Sequence, residues 1–357
     1  MAMTAEQIFL NHFGQPASAT GLACGRVNLI GEHIDYNGGM VLPAPIKRFV
    51  EVAISYGAQD ADEIYSEMFD QSISRPIDSA ASDHWSDYVV GALSRARQLG
   101  SLEQGVRIVI KSDIPYGAGV SSSSAAIIAT FRAIQALTQS SYEKVQLAKW
   151  AQAVENDFIG VPCGIMDQMA ISVAKPNYAL ALNTHTLEHT NLELPSGYHF
   201  AVLFSGVTRR LDEGRYAIRR AECESAAKQL GVPFLCTMSE QQSHGIASLA
   251  DPLNKRARHA FSEHQRVLQG INALKKADVD LFAKLMNQSH TSMRDDFEIS
   301  TDEVDAVVQS AREFGAIGAR MTGGGFGGCI VACVAEEYLD DWKDQMQARH
   351  IKSKFIA

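Results

Sequence analysis

Gly25-Arg26-Val27-Asn28-Leu29-Ile30-Gly31-Glu32-His33-Ile34-Asp35-Tyr36-Asn37 crowds Arg, Glu, His, Asp and Tyr around one glycine turn. Val27, Leu29 and Ile30 can anchor a short strand, Gly31 permits a sharp exit, and Glu32, His33 and Asp35 cluster where the chain turns. Two carboxylates and an imidazole supply acceptors and donors together. A polyol needs that mixture, because each hydroxyl both gives and receives a hydrogen bond. An ordinary polar loop at a strand end accounts for the same spacing. A zinc-protease reading fails, since Glu32-His33 has no second His at helical spacing.

A second segment, Pro115-Tyr116-Gly117-Ala118-Gly119-Val120-Ser121-Ser122-Ser123-Ser124-Ala125-Ala126, runs into the apolar-periodic stretch Ile127 to Leu137. It reads as a loop that opens a helix. Glycines let successive N–H groups converge, and the helix start adds partial positive charge, which together make a phosphate cradle. The four serines offer hydroxyls for phosphate or Mg²⁺, although a Ser-rich N-cap ahead of a core helix would look the same. No Gly-Lys dipeptide occurs in the chain, which disfavours a Walker-type loop but not phosphate binding.

The third segment, Met321-Thr322-Gly323-Gly324-Gly325-Phe326-Gly327-Gly328-Cys329, lies between the strand-like runs Ala316 to Arg320 and Ile330 to Val334. Gly323, Gly325 and Gly328 match the dinucleotide fingerprint in form only, because an apolar β-like run follows where a helix is required. A hairpin-like glycine loop that approaches a ligand is the better reading. Five glycines in six residues cost much backbone entropy for a mere structural turn.

A length of 357 residues with 46% hydrophobic content suits two domains with substantial cores. No apolar run is long enough to span a bilayer, and the N-terminus has no basic region followed by an apolar one, so a cytoplasmic protein is expected. The six cysteines include no Cys-x-x-Cys pair and are expected as reduced thiols. A formal net charge of -9 argues against nucleic acid or an anionic membrane as partner. It does not argue against ATP, whose phosphates backbone amides and Mg²⁺ can hold.

Strand-like runs at Phe49 to Ile54 and Val106 to Lys111 mix with helical ones at Asp87 to Leu99 and Tyr142 to Asp157. Further helical stretches follow at Arg215 to Leu230, Leu253 to Lys276, Val279 to Gln288 and Asp302 to Phe314, a pattern that suits an α+β architecture. The pairs Arg209-Arg210 and Arg219-Arg220, and the cluster Lys255, Arg256 and Arg258, read as solvated faces. A boundary is expected near residues 186 to 197, where Pro195-Ser196-Gly197 closes a weakly alternating run. Candidates for a base and a metal ligand stand in Glu155-Asn156-Asp157-Phe158-Ile159-Gly160-Val161-Pro162-Cys163-Gly164-Ile165-Met166-Asp167-Gln168. On its own, Asp167 there reads as a helix cap.

Taken together, the three ordered segments and the Cys-Gly-Ile-Met-Asp-Gln string resemble the galactokinases, within the superfamily of galactokinase, homoserine, mevalonate and phosphomevalonate kinases. The resemblance runs from about Gly25 to about Val334. It implies an N-terminal sugar- and ATP-binding domain with a crossover sheet over residues 1–190. It also implies a ferredoxin-like C-terminal domain over residues 191–357, carrying the glycine-rich loop 323–328, with the active site in the cleft between the two. The implied reaction is transfer of the ATP γ-phosphoryl to the C1 hydroxyl of a galactose-like, neutral sugar, without a covalent intermediate.

In that scheme Asp167 orients and deprotonates the hydroxyl, while Arg26 beside it balances charge. Glu32, His33, Asp35, Gly164 and Tyr216, with Arg26 and Asp167, are the implied sugar contacts. ATP falls to Pro115, Gly117, Ala118, Gly119, Val120, Ser121, Ser122 and Ser123, with Ser123 and Glu155 at Mg²⁺. A monomer is the default expectation.

Departures concern the sugar more than the reaction. Cys24 stands where a proline is usual, Leu180 to His185 lacks an Asp-Cys-Arg string, and Phe204-Ser205-Gly206-Val207 replaces Asn-Ser-Asn. The chain ends at Ala357 without a glycine-bearing tail, and Ser124 takes the place of an alanine, a change expected to matter little. A kinase for N-acetylgalactosamine, arabinose or galacturonate, and a catalytically silent sugar sensor, are the alternatives. A uronate would set its carboxylate against Glu32, and the uninterrupted serine motif with Asp167 counts against the sensor.

Overall fold

The computed structural model describes residues 3–208 and 213–357. Its strands are β1 (Ala19–Asn28), β2 (Met40–Val41), β3 (Pro43–Tyr56), β4 (Ala61–Ser66), β5 (Gln71–Pro76), β6 (Val106–Ser112), β7 (Tyr178–Asn183), β8 (His189–Glu193), β9 (Tyr198–Phe204), β10 (Gly318–Thr322), β11 (Cys329–Ala335) and β12 (Lys354–Phe355). Its helices are α1 (Ala5–Phe13), α2 (Asp87–Gln98), α3 (Ser122–Thr138), α4 (Lys144–Ala153), α5 (Met166–Val173), α6 (Glu213–Leu230), α7 (Glu240–Ser243), α8 (Leu253–Lys275), α9 (Val279–Asp295), α10 (Asp302–Glu313) and α11 (Leu339–Arg349). Most expected helical and strand-like runs lie close to these bounds, but α9 extends seven residues past the expected Gln288 and β3 begins at Pro43, six residues before the expected Phe49. Tyr142 to Asp157 differs: α4 stops at Ala153 and a π-helical turn, Val154–Ile159, completes it. The segment Arg209-Arg210 lies outside the described residues. Among the described residues, no helix is long and apolar enough to cross a membrane.

The chain divides into two compact units, neither continuous in sequence. The first comprises Met1–Gly25, Lys47–Pro115 and Ser121–Val173; the second comprises Arg26–Ile46, Tyr116–Val120 and Ala174–Ala357.

In the first unit, α1 is closed by a Thr4/Gln7 capping box and buries Ala5, Ile8 and Phe9 against Ala53 of β3 and Val109 of β6. The five-stranded sheet runs β1-β3-β6-β4-β5, with β4 parallel to β6 and β6 antiparallel to β3. Helix α3 is apolar on nearly every side, burying Ala125 through Phe131 without a break, as an internal helix must. Gly21 lets β1 meet it: a Cβ there would stand 2.1 Å from the Ala129 carbonyl oxygen.

In the second unit, the antiparallel sheet β10-β11-β9-β12 packs under α9 and α10. Its central strand β11 buries Cys329 through Val334 completely. A three-stranded sheet, β2-β7-β8, lies against α8.

One sequence expectation fails here. Arg256 is not on a solvated face but 2% exposed, because α6 packs on α8 and brings Glu222 within 2.6 Å of its Nε, while Glu298 lies 2.7 Å from Nη2. Arg219 likewise turns inward to donate to the Phe297 carbonyl at 2.8 Å.

Candidate active site

In the second unit, parts of all three sequence motifs are bonded to one another. Beyond the end of β1 at Asn28, Gly31 takes φ 107°, and its N–H donates to Glu263 Oε1 of α8 at 2.9 Å. Glu32 follows, 1% exposed, where Asn28 Nδ2 donates to Oε2 and the Gly323 N–H donates to Oε1 at 2.6 Å. The Arg320 guanidinium stands 3.7 Å from the same oxygen. His33 takes a left-handed backbone, φ 59°. Its Nε2 lies 3.2 Å from the Gly324 carbonyl and its Nδ1 2.7 Å from the Tyr36 hydroxyl. A carbonyl only accepts, so Nε2 carries the hydrogen, and a neutral ring then receives the Tyr36 proton at Nδ1. The Tyr36 phenol is held well above its usual pKa by burial first, then by the neighbouring Cys223, Tyr216 and Asp35.

Tyr216, on α6, stacks at a tilt on His33 with centroids 5.0 Å apart, and Phe297 closes the other approach at 4.8 Å. Asp35 is half-buried nearby.

Arg26 draws in the glycine loop: its N–H donates to the Val120 carbonyl at 3.2 Å and Nη1 to the Gly119 carbonyl at 2.9 Å. Cys329 Sγ lies 3.0 Å from the Ala118 carbonyl oxygen. Ser205, one of the departures, supports the third motif, since its Oγ and N–H both donate to the Gly328 carbonyl, at 2.7 and 2.9 Å. Asn183, another, caps a turn by accepting the His185 and Thr186 N–H groups at 3.0 and 3.1 Å.

Beneath the first motif lies a charged floor that the sequence reading missed. His259 Nε2 is 3.1 Å from the Glu32 carbonyl oxygen and its Nδ1 is 3.0 Å from Ser292 Oγ. Glu263 also accepts from Ser289 Oγ at 2.5 Å and from Arg266 Nε at 2.7 Å. Burial raises the Glu263 carboxyl, but Arg266, His259, Arg320 and the Ser289 hydroxyl outweigh it and bring its pKa to about 2. Burial lowers His259 to about 4, so it is neutral near pH 7. Glu263 lies 232 positions from Gly31, and only helical periodicity, which marks α8 as amphipathic, hinted at this face.

The first unit holds the remaining candidates. Ser121 caps α3 from a left-handed backbone, φ 64°, a strain of order 1–3 kcal/mol. Its Oγ donates to Asp167 Oδ2 at 2.5 Å. Asp167 sits in the first turn of α5, where the helix dipole favours an anion. Ser122 opens α3, and Gly164 is buried in the segment before α5. Glu155 projects from the π-helical turn, a geometry common at functional sites. Ser123 Oγ donates to its Oε1 at 2.8 Å, and Gln168 Nε2 donates to Oε2. Its carboxyl is raised by burial and then by the charge of Asp167, against the lowering effect of Ser123, Gln168 and Ser124.

These groups fit Mg²⁺. The Ser123 hydroxyl and Glu155 carboxylate are hard oxygens, and Gln168 Oε1, buried without a protein partner, can accept from an ion's water shell. Gly117 and Gly119, at φ 73° and 76°, open the loop that leads to α3.

Comparison with known proteins converges on one family. The galactokinase galactose-binding signature matches residues 7–56, the GHMP kinases N terminal domain residues 87–175, and the GHMP kinases C terminal domain residues 271–357. The crystal structure of Lactococcus lactis galactokinase complexed with galactose is 30% identical, with TM-score 0.92 over 98% of this chain and 96% of that one. Mevalonate kinase of Methanococcus jannaschii shares the fold at 17% identity and TM-score 0.69, over 95% of this chain and 97% of that one. Phosphomevalonate kinase of Streptococcus pneumoniae does so at 13% and 0.69, over 95% and 98%. The family of these three motifs and this floor is therefore known: the chain belongs to the galactokinases, within the GHMP kinases.

Proposed function

We propose that the protein phosphorylates D-galactose at its C1 hydroxyl, with ATP as donor and ADP and galactose 1-phosphate as products. The observation that carries this reading is the bond between Ser121 and Asp167 at the start of α3. It stations a carboxylate one hydroxyl away from the end of a loop suited to phosphates.

Asp167 orients the C1 hydroxyl and takes its proton, a role worth about 10²–10⁴ in rate. Arg26 offsets charge that builds on the transferring group. The amides of Gly117 to Val120, with Pro115 and the hydroxyls of Ser121, Ser122 and Ser123, hold the triphosphate. Mg²⁺, when bound at Ser123 and Glu155, neutralises phosphate charge. Positioning and electrostatics suffice for such a transfer.

Asp35, Tyr216 and the Gly164 backbone serve the sugar hydroxyls together with Glu32 and His33. A carboxylate has about four acceptor sites, so Glu32 can serve a hydroxyl besides its N–H partners. Loss of such a partner can discriminate against the wrong epimer by about 10⁴. A monomeric cytoplasmic enzyme acting on a neutral sugar is the setting proposed.

An ATP-consumption assay with Mg²⁺ across galactose, glucose, N-acetylgalactosamine, arabinose and galacturonate tests the reading, with Asp167→Ala as control. Turnover confined to galactose supports it. Turnover on another sugar moves the specificity, and binding without turnover ends the kinase assignment.

A further inference from the structure

We infer that Ser124 is a positioning residue, which bridges both oxygens of Glu155 and fixes the rotation of that carboxylate beside Ser123. Ser124 is 1% exposed, and its Oγ lies 3.0 Å from Oε2 and 3.3 Å from Oε1. Ser123 reaches only Oε1 and Gln168 only Oε2. Cys163 Sγ also lies 3.7 Å from Oε2, so among these donors Ser124 is the one that spans both oxygens.

The terminal torsion of a glutamate is broad, so donors on both oxygens are needed to hold its plane. Gln168 takes part in that hold. Its Nε2 faces Glu155, with Ser124 Oγ at 3.4 Å and Cys163 Sγ at 3.5 Å, while Oε1 is buried without a protein partner. The π-helical turn adds a second constraint by setting where the Glu155 backbone stands. An alanine here would keep the donors from Ser123, Gln168 and Cys163 and lose the bridge, together with the Ser124 Oγ that Gln168 Nε2 faces. Ser124 therefore holds Glu155 beside Ser123 in one geometry for a hydrated cation.

The inference rests on the reading that Glu155 serves Mg²⁺. Its test is a double-mutant cycle of Ser124→Ala and Glu155→Ala, read by calorimetric titration of ADP with and without Mg²⁺ and by steady-state kinetics. Ser124→Ala should weaken Mg²⁺·ADP binding and raise the Mg²⁺ KM about three- to tenfold. Affinity for ADP alone and the KM for galactose should stay within about twofold. In the Glu155→Ala background the same change should have no further effect.

Equal losses in both backgrounds, equal losses with and without Mg²⁺, or no loss would each overturn the proposal. Ser124→Cys, a weak donor of similar shape, keeps the packing and tests the same bond if alanine unsettles α3. A wild type that binds Mg²⁺·ADP yet phosphorylates no sugar would end the kinase reading, while the binding cycle would still decide the role of Ser124.

Discussion

Glu155 and Glu263 are both buried carboxylates at the heart of their units, and their environments push them in opposite directions. Glu263 has cations beside it, Arg266 at 2.7 Å above all, and its pKa falls to about 2 despite burial. Glu155 is surrounded by neutral donors, with a second carboxylate, Asp167, close enough to raise it further. Hydroxyls and an amide orient a charge, but only a counter-charge offsets the loss of water around it. The second unit thus carries a compensated scaffold that keeps its ionisation across a wide pH range. The first carries an under-compensated carboxylate, suited to an incoming cation.

The contrast bears first on Asp167, the proposed partner of the C1 hydroxyl. If Asp167 has the proposed role at the C1 hydroxyl, Asp167→Ala lowers kcat by about 10²–10⁴ while leaving ADP affinity within about threefold, because that role touches the acceptor and not the phosphates. A parallel collapse of ADP binding would make Asp167 part of the nucleotide site instead.

Next in size, Glu263→Gln should strip Arg266 of its buried counter-charge and destabilise the fold by about 3 kcal/mol, read from urea unfolding. The Gly31 turn loosens with it, so the galactose KM should rise more than the ATP KM. Glu155→Gln, with no cation to abandon, should leave stability unchanged or improve it. Equal losses in the two variants would break the comparison.

Acid titration separates the same groups by sign. His259 is depressed to about 4 in the fold against an ordinary 6.5, so between those values the unfolded chain binds more protons and stability falls as pH falls. The loss reaches about 3 kcal/mol below pH 4. Glu263 then adds its own loss between 4.5 and about 2. Glu155, raised above 4.5, works the other way: in its window the folded state binds more protons, and stability rises as pH falls. Urea midpoints at stepped pH should show the 4 to 6.5 slope shrink in His259→Gln, with the remainder left to His264 and His350, both also lowered by burial.

The smallest effect belongs to Ser205→Ala. It removes one of two donors on the Gly328 carbonyl and should cost about 1 kcal/mol, with a modest rise in ATP KM and an unchanged choice of sugar. A changed sugar preference would restore to Ser205 the specificity role that its place among the departures suggests.

By itself the sequence determined the three motifs, because what they need is local. A left-handed turn asks for glycine, a phosphate cradle asks for glycines ahead of a helix start, and a polyol site asks for mixed donors and acceptors. Helical periodicity also marked α2, α8, α9 and α10. Tertiary structure alone decided which charges are compensated. Glu32 meets the Gly323 N–H across 291 positions and Arg256 finds Glu222 across 34, so no spacing rule could pair them or foresee Arg256 buried. The unit boundaries were equally hidden, since Gly25/Arg26 and Ile46/Lys47 fall inside β1 and β3 and not in a linker. Ser124 belongs to the same class: a small residue in a serine run reads as a cap or filler until the π-helical turn brings a carboxylate to it. Burial turns such pairings into large energies, and burial is a property of the folded chain.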